Sequence, residues 1–242
     1  MSALLEVSGI CRKFGSFFAV REVSFDVGEG ELLGLIGPNG AGKSTMFNLI
    51  AGVLPPSAGQ IVFAGQRITG WKPYQVSRIG VARTFQIPKP YRQLSVIENV
   101  MLTAFQHERT LAGARKFAES TLAEVGLADY CSAAISTLSV GLLKRLEVAR
   151  ALAMRPKLVL FDEIMAGLTP VEVGVMTELV ASLPARGITV VWVEHVLYAI
   201  MNTANRIIVL NRGEIIAEGA PSIVARDPAV VKAYLGEEFI LA

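Results

Sequence analysis

Short apolar runs alternate with segments of helical periodicity along much of the chain. Residues 32–36, 158–161 and 188–193 are almost entirely apolar, which is typical of strands that are buried on both faces of a sheet. Helical patterns over residues 46–51 and 170–183 follow the first two of these strands. This alternation predicts an α/β fold with a mainly parallel sheet and helices on both of its faces.

The two ends of the chain show a different pattern. Residues 4–27 alternate between apolar and polar positions like short antiparallel strands, with breaks at Arg12-Lys13, Gly15-Ser16 and Gly28-Glu29-Gly30. Another short strand is predicted over residues 60–64. Near the other end we expect a hairpin between strands 206–210 and 214–217, and then a helix over residues 221–235. The fold should therefore include an N-terminal antiparallel β subdomain.

A helical segment interrupts the strand pattern in the middle of the chain. A helix over residues 73–78 and a strand over 80–85 are followed by residues 87–91, where two prolines exclude regular structure. From about residue 95 to residue 154 the pattern is helical. We therefore predict a single domain, 1–242, with a core of residues 1–86 and 155–242 and an inserted helical subdomain of residues 87–154.

Composition narrows the possible functions. A chain of 242 residues can form one large domain with a substantial core. Its net charge of +2 includes no basic block, which argues against a nucleic-acid partner. No apolar run approaches 18 residues and no signal peptide is recognised at the start, so a membrane-spanning segment is not expected. The apolar content of 52% fits a sheet buried on both faces, or an additional docking face for a hydrophobic partner.

A glycine-rich turn follows the strand at residues 32–36 and opens the next helix. It matches the phosphate-loop pattern of a glycine, four residues and Gly-Lys-Ser, over Gly37, Pro38, Asn39, Gly40, Ala41, Gly42, Lys43, Ser44 and Thr45. The glycines let the backbone approach a ligand, and the converging N–H groups and the helix dipole attract an anion. Lys43 can reach the terminal phosphates, and the Ser44 hydroxyl can ligate Mg²⁺. The turn predicts binding of a nucleoside triphosphate.

Polar residues follow three other predicted strands. Asp162 and Glu163 come directly after an apolar strand, at the carboxyl end where open α/β sheets bind their ligands. Beside a phosphate loop, Asp162 can hold Mg²⁺ through water, and Glu163 can polarise the water that attacks the terminal phosphorus. His195 leaves a second strand at this edge and could bond a γ-phosphate oxygen. Gln86 ends a third strand, where its amide could ligate the metal or the water.

Two further features indicate nucleotide contacts. Phe14 lies in a predicted turn, where an exposed aromatic ring could stack on a nucleobase or could simply pack against the protein. Ser139 and Gly141 begin a predicted helix, and a helix N-terminus of this kind can bind an anion. Since the chain already has a complete phosphate loop, this second helix start makes most sense if it serves the nucleotide of another copy.

Together, these elements resemble the nucleotide-binding subunit of an ATP-binding cassette (ABC) transporter, over essentially the whole chain. In the order of the family, they are the phosphate loop, Gln86, the signature at 138–142, the strand and carboxylates at 158–163, and His195, with Phe14 in the place of the adenine-stacking aromatic residue. Within the family, four segments resemble bacterial branched-chain amino-acid importers, namely residues 82–86, 165–168, 194–195 and 233–238.

The resemblance implies an enzyme that hydrolyses ATP with Mg²⁺, with His195 and Glu163 in catalytic positions. The residues expected to hold the metal are Ser44, Gln86 and Asp162. Two such subunits, identical or paralogous, would sandwich two ATP molecules between the phosphate loop of one and the signature residues of the other, which are Ser139, Val140 and Gly141. Closure would push on two membrane permease subunits through a groove near Gln86, and a solute-binding protein would supply the solute. The protein is then expected as a peripheral subunit at the cytoplasmic face of the inner membrane.

The chain departs from the family pattern at four positions. Val140 and Leu142 replace the third and fifth signature residues, so the half-site loses a polar side chain at position 142. Ile164 stands where a proline usually follows the glutamate, and Thr169 replaces an Asp or Asn in the loop that senses the opposite subunit.

Other functions stay open on the sequence. A soluble ABC ATPase of iron–sulfur assembly fits the length, whereas a translation factor would carry two cassettes and a repair protein a long coiled-coil insertion. A lipopolysaccharide-exporting cassette is the alternative within the transporter class. A phosphate-loop kinase would leave the signature and Glu163 without a purpose. Solute selectivity in this architecture lies in other subunits.

Overall fold

The structure, a computed structural model, describes residues 3–235. Within this range the strands are β1 (Ala3–Phe14), β2 (Phe17–Gly28), β3 (Leu32–Ile36), β4 (Ala58–Phe63), β5 (Gln66–Arg67), β6 (Val81–Arg83), β7 (Leu158–Asp162), β8 (Thr189–Val193), β9 (Arg206–Asn211) and β10 (Glu214–Gly219). The α-helices are α1 (Lys43–Ile50), α2 (Pro73–Arg78), α3 (Val96–Ala104), α4 (Leu111–Glu124), α5 (Val140–Leu152), α6 (Pro170–Ser182), α7 (Leu197–Thr203), α8 (Pro221–Val224) and α9 (Pro228–Leu235). In the described part of the chain, no helix has both the length and the apolar character needed to cross a bilayer.

The larger sheet has six strands in the order β10-β9-β3-β8-β7-β6. Each neighbouring pair is parallel except β9 and β10, which form the antiparallel hairpin expected from the sequence. The predicted mainly parallel sheet is therefore confirmed. Because β3, β6, β7 and β8 run in the same direction, their carboxyl ends meet at one edge of the sheet, which we call the carboxyl edge.

The central strands are buried on both faces. All residues of β3, β7 and β8 are buried. Alternate side chains enter two different apolar clusters: Leu33 and Leu35 belong to one cluster, while Leu32 and Ile36 belong to the other. Burial on both faces explains the continuous apolar runs and much of the high apolar content, and it leaves the carboxyl edge as a place for polar groups.

A second sheet is antiparallel and has the strand order β2-β1-β4-β5. The sequence predicted several short strands over residues 4–27, but the structure has two strands of 12 residues joined by one turn at Gly15-Ser16. The predicted break at Arg12-Lys13 is wrong, because the pairing of β1 with β2 shifts register there without ending the strand. A bulge of this kind lets a strand bend and continue.

Three helical predictions also needed correction. Helix α1 begins at Lys43, three residues before the predicted start, directly after the left-handed Gly42. Helix α7 was not predicted; its N-cap position, Val196, makes no side-chain hydrogen bond that would mark the start. The predicted helix over 221–235 is two helices, because Pro228 disfavours helical backbone in the residue before it. Residues 236–242, including part of the importer-like segment 233–238, lie outside the described residues.

Helices α3, α4 and α5 pack together in the segment predicted as a helical subdomain, and the division of the chain at residues 87 and 154 stays a prediction. The irregular loop before α3 is fixed by Asn99, whose side chain is fully buried. Its Oδ1 accepts the Tyr91 N–H at 2.7 Å, and its Nδ2 donates to the Ser95 and Tyr91 carbonyls at 2.9 and 3.1 Å. One amide therefore satisfies loop groups that the two prolines leave without a regular partner.

We expect Asn99→Ala to lower the free energy of unfolding by about 1–3 kcal/mol, because it leaves buried backbone groups without hydrogen-bond partners. Asn202→Ala is the matched control: Asn202 is exposed on α7 and donates one bond to the Tyr198 carbonyl at 2.8 Å. That control should change stability by less than about 0.5 kcal/mol. Chemical denaturation of both variants measures the difference, and equal stabilities would contradict the role given to Asn99.

Candidate functional site

The phosphate-loop sequence follows β3 and continues into the first three residues of α1. Gly37, Gly40 and Gly42 have φ values of 151°, 80° and 107°, a region that side chains disfavour. A Cβ at Gly37 would lie 2.1 Å from the Leu210 carbonyl oxygen, and a Cβ at Gly42 would lie 2.5 Å from the Ala19 carbonyl oxygen. At these two positions the close approach of another backbone requires glycine.

Lys43 is buried and folds back onto its own loop. Its Nζ donates to the carbonyl oxygens of Gly37 at 2.6 Å and Pro38 at 3.1 Å. Burial lowers the pKa of the Lys43 ammonium, while the nearby charges of Glu163 and Asp162 oppose that shift. The loop thus keeps a cation among its own carbonyl groups, and phosphate oxygens would be stronger, charge-assisted partners for it.

A cleft of about 370 Å³ opens beside the loop, and we call it the loop cleft. Its lining joins residues from four regions of the sequence: Phe14, Phe17, Ala19, Asn39, Gly40, Ala41, Gly42, Lys43, Ser44, Thr45, Glu163 and His195. Phe14, residues 39–45 of the phosphate loop, Glu163 and His195 therefore share one cavity, whereas Gly37 and Pro38 are not part of its lining. Of these, Ser44 offers the hydroxyl that was predicted for Mg²⁺.

The aromatic end of the loop cleft contains two phenylalanines. Phe14 ends β1 and Phe17 begins β2, and the two are directly paired across the hairpin. The Phe14 ring is partly exposed, with the Arg12 guanidinium 4.5 Å from its centroid, and Phe17 is more exposed. Sequence reasoning identified Phe14 and missed Phe17, although the two-residue turn between them could have indicated that they are cross-strand neighbours.

The carboxyl edge brings Gln86, Glu163 and His195 into contact. Glu163 directly follows β7, His195 lies two residues beyond β8, and Gln86 lies three residues beyond β6. The His195 Nε2 and the Glu163 Oε1 are 2.8 Å apart, and the Gln86 Nε2 donates to the Glu163 Oε2. The sequence predicted a γ-phosphate contact for His195 and a metal or water contact for Gln86; in this structure both side chains contact Glu163.

Asp162 ends β7 and is buried in an ion pair. Its Oδ2 accepts from Arg83 Nη2 at 2.8 Å, and its backbone N–H donates to the Thr84 Oγ1 at 3.2 Å. The same guanidinium donates to the Asn48 Oδ1 at 2.5 Å, so it links β6 to α1. Sequence reasoning missed Arg83, which supplies the cation that a buried carboxylate requires.

The donor atoms at this edge suit a magnesium ion. Ser44, Asp162 and Gln86 offer a hydroxyl, a carboxylate and an amide oxygen, and Mg²⁺ prefers oxygen ligands. Gln86 bonds to Glu163 through its amide nitrogen, which leaves its amide oxygen as a possible metal ligand. The residues present therefore fit the ion, with Asp162 shared with Arg83.

The predicted second anion site lies at the start of α5. Ser139 is the N-cap, and its Oγ accepts the Leu142 N–H at 3.3 Å, while Val140 is half exposed. The residues that line the loop cleft in the described part of the chain do not include these. A Cβ on Gly141 would lie 2.0 Å from the Glu172 Oε1, so a carboxylate lies directly beside this helix start. That side chain would have to rotate away from an incoming phosphate.

Thr169, one of the departures from the family pattern, is the N-cap of α6. Its Oγ1 accepts the Glu172 N–H at 3.4 Å, and the Glu172 carboxylate accepts the Thr169 N–H at 2.9 Å. The Thr169 N–H and the Thr169 hydroxyl, which both donate to the Glu172 carboxylate, hold the pKa of Glu172 below its usual value. The substitution thus preserves the capping that an Asp or Asn would provide.

Family models match two parts of the chain. The ABC transporter model matches residues 20–166, and a model described as a branched-chain amino acid ATP-binding cassette transporter matches residues 214–240. The chain is 36% identical to the high-affinity branched-chain amino acid transport ATP-binding protein BraF of Pseudomonas aeruginosa, over 97% of this chain and 98% of BraF. It is 34% identical to the lipopolysaccharide export system ATP-binding protein LptB of Acidithiobacillus ferridurans, over 99% of each chain.

Solved structures show the same architecture. A nucleotide-free ATP-binding cassette from an ABC transporter has a TM-score of 0.88 and 32% identity, over 98% of this chain and 100% of that one. A dimeric cassette in a post-hydrolysis state, bound to ADP and Pi, has a TM-score of 0.81 and 27% identity, over 90% of this chain and 98% of that one. These findings confirm the resemblance read from the motifs. The chain therefore belongs to the ABC transporter family, as one of its ATP-hydrolysing cassettes.

Proposed function

We propose that this cassette powers the import of branched-chain or related hydrophobic amino acids. The observation that carries the ATP chemistry is the position of Glu163, between Gln86 and His195, in the cleft that also contains the phosphate loop. Two findings support the solute class: identity to BraF extends over nearly the whole chain, and the branched-chain model matches residues 214–240.

ATP would bind along the loop cleft from its aromatic end to the carboxyl edge. The adenine stacks on Phe14, with Phe17 beside it, and the phosphates lie on the N–H groups of residues 37–45. Lys43 exchanges its two carbonyl contacts for phosphate oxygens, and the positive end of α1 adds to the attraction. When bound, Mg²⁺ neutralises charge on the β- and γ-phosphates, and Ser44, Asp162 and Gln86 are the residues that would hold it.

Glu163 would act as the general base. Its carboxylate accepts a proton from the attacking water, the water oxygen bonds to the γ-phosphorus, and the bond to the bridging oxygen breaks, which leaves ADP and phosphate. His195 and Gln86 fix the two carboxylate oxygens, so that the base is oriented before the water arrives. When ATP is bound, the His195 Nε2 could instead donate to a γ-phosphate oxygen, because this nitrogen carries only one hydrogen and would have to leave Glu163.

The complete catalytic unit would contain two cassettes, identical or paralogous. In that arrangement Ser139, Val140 and Gly141 of one subunit contact the ATP held by the phosphate loop of the other. Two observations support this: these residues form a helix N-terminus away from the loop cleft of their own chain, and a cassette of similar structure has been solved as a dimer.

The partners in transport would be two membrane permease subunits and, through them, a solute-binding protein. The cassette would work as a peripheral subunit at the cytoplasmic face of the inner membrane. A groove of about 240 Å³ between α2, β6 and α5 is suited to a permease segment, because it is lined by apolar and partly exposed residues such as Val53, Phe85 and Met154. Phe85 lines the groove and precedes Gln86, which bonds to Glu163. A permease segment bound in the groove could therefore affect the catalytic carboxylate through Gln86.

Lipopolysaccharide export is the second candidate, because LptB is 34% identical over the full length. The match of residues 214–240 to the branched-chain model favours amino-acid import. Affinity purification of the tagged chain from native membranes, followed by mass spectrometry, tests the assignment. We expect permease subunits and a periplasmic binding protein of the amino-acid type. Recovery of lipopolysaccharide-transport subunits, or of soluble iron–sulfur assembly proteins, would contradict it.

We expect Glu163→Gln to lower the rate of ATP hydrolysis by about 100-fold or more, because the amide keeps the size of the side chain but cannot accept the proton. ATP affinity should stay within about twofold of the parent value. Phosphate release at saturating ATP measures the first quantity, and calorimetry measures the second.

Lys43→Ala is the matched contrast, since it should lose most ATP affinity through removal of the cation in the phosphate loop. The two variants thus separate chemistry from binding. If Glu163→Gln released phosphate at the parent rate, Glu163 would not be the base.

A further inference from the structure

Glu163 has a left-handed backbone conformation, with φ at 48°. For a residue other than glycine this conformation is unfavourable, and it persists at functional sites only where the surroundings determine it. On one side, the Glu163 N–H donates to the Val193 carbonyl at 2.9 Å. On the other side, the Glu163 carbonyl faces α5.

Lys144 supplies a contact on that other side. It lies on α5, is almost fully buried, and its ammonium donates to the Glu163 carbonyl at 3.1 Å and also to the Gln86 carbonyl. The side chains of Gln86 and Glu163 bond to each other, so the three residues form a closed ring of contacts. Because the Glu163 carbonyl is held, the plane of the peptide after Glu163 is constrained, and the direction of the Glu163 Cα–Cβ bond is constrained with it.

Glu194 holds the same segment two residues later. It is also almost fully buried, and its carboxylate accepts the Met165 N–H at 2.7 Å and the His195 N–H at 3.2 Å. Burial raises the pKa of Glu194, and these backbone N–H groups oppose that shift. Burial lowers the pKa of Lys144, and carboxylates, first among them Glu194, oppose it. The backbone of residues 163–165 is therefore hydrogen-bonded to two buried side chains of opposite charge, Lys144 from α5 and Glu194 from the end of β8.

We propose that Lys144 and Glu194 are positioning residues that hold Glu163 in its left-handed conformation, with its carboxylate between Gln86 and His195. The inference rests on the proposed role of Glu163 as the base. Lys144 lies on the helix that Ser139 caps, so the element predicted to face the nucleotide of the opposite subunit also holds the base of its own subunit. A shift of α5 would thus change the geometry at Glu163.

A merely structural role for these charges makes a different prediction. Loss of a buried, hydrogen-bonded charge lowers stability, and if that were the whole effect, the number of ATP sites counted by calorimetry and the rate would fall in proportion. A positioning role lowers kcat alone, because the residues that line the loop cleft in the described part of the chain include neither Lys144 nor Glu194. The rate per ATP-binding site therefore distinguishes a positioning role from a merely structural one.

The test uses Lys144→Met in the full-length cassette, since methionine keeps most of the apolar stem and removes the donors. We expect kcat to fall by about 10- to 100-fold, the usual effect of removing a group that orients a catalytic residue. The KM for ATP and the calorimetric ATP affinity should stay within about twofold. Lys144→Arg restores a buried cationic donor and should recover most of the rate. Lys116→Met, at an exposed position on α4, is the control and should have the parent kcat.

Glu194→Gln provides an independent second test, and it decides the question if Lys144→Met does not fold. The amide keeps one acceptor oxygen but turns an N–H donor toward backbone donors, so kcat should again fall while ATP affinity stays near the parent value. Parent turnover in Lys144→Met and Glu194→Gln, or a rate that falls only in proportion to the number of ATP sites, would overturn the inference. If Glu163→Gln also kept the parent rate, the assignment of Glu163 as the base would be wrong as well. If Glu163→Gln were inactive, only the positioning role of Lys144 and Glu194 would be wrong.

Discussion

Parallel strands end at the same edge of a sheet, and the candidate site depends on this constraint. β3 leads into the phosphate loop, β7 into Glu163, and β8 into His195. Neighbouring strands lie about 4.8 Å apart, so side chains that leave adjacent strands can touch although the chain separates them widely. Gln86 and Glu163, for example, are 77 residues apart in sequence. Because both faces of the sheet are buried, its edge is where a polar ligand can be bound.

The charges at this edge all have partners within the chain. Lys43 is bonded to loop carbonyls, Asp162 to Arg83, and Glu163 to Gln86 and His195. This arrangement follows from burial, because an unpaired charge in a partly buried site is costly. When ATP binds, phosphate oxygens would therefore replace the loop carbonyls as hydrogen-bond partners of Lys43. The charged groups of the site thus have partners both before and after ATP binds. The catalytic carboxylate is held in the same way, through backbone groups on either side of it.

Local patterns in the sequence were sufficient for the sheet and for the residues at its edge. The strand at residues 32–36 and the helix at 73–78 agree with the structure at both ends, because their apolar runs and flanking glycines and prolines are local signals. The roles of Arg83, Lys144 and Glu194 were not identified, although Arg83 and Glu194 lie in importer-like segments, because these roles depend on contacts between distant parts of the chain. The long β1 strand was missed for a similar reason: pairing with β2 carries it through a register shift that the sequence predicted as a break.

Hydrolysis in this proposal needs a second cassette, and Ser139 tests that claim most directly. Ser139→Arg places a large side chain at the start of α5, outside the loop cleft of its own chain. We expect ATP affinity, measured by calorimetry, to equal that of the parent, while ATP-dependent dimerisation, measured by light scattering, and hydrolysis are lost. Ser120→Arg, at an exposed position on α4, controls for the added charge. A Ser139→Arg chain that still dimerises with ATP and hydrolyses it at the parent rate would contradict the shared site.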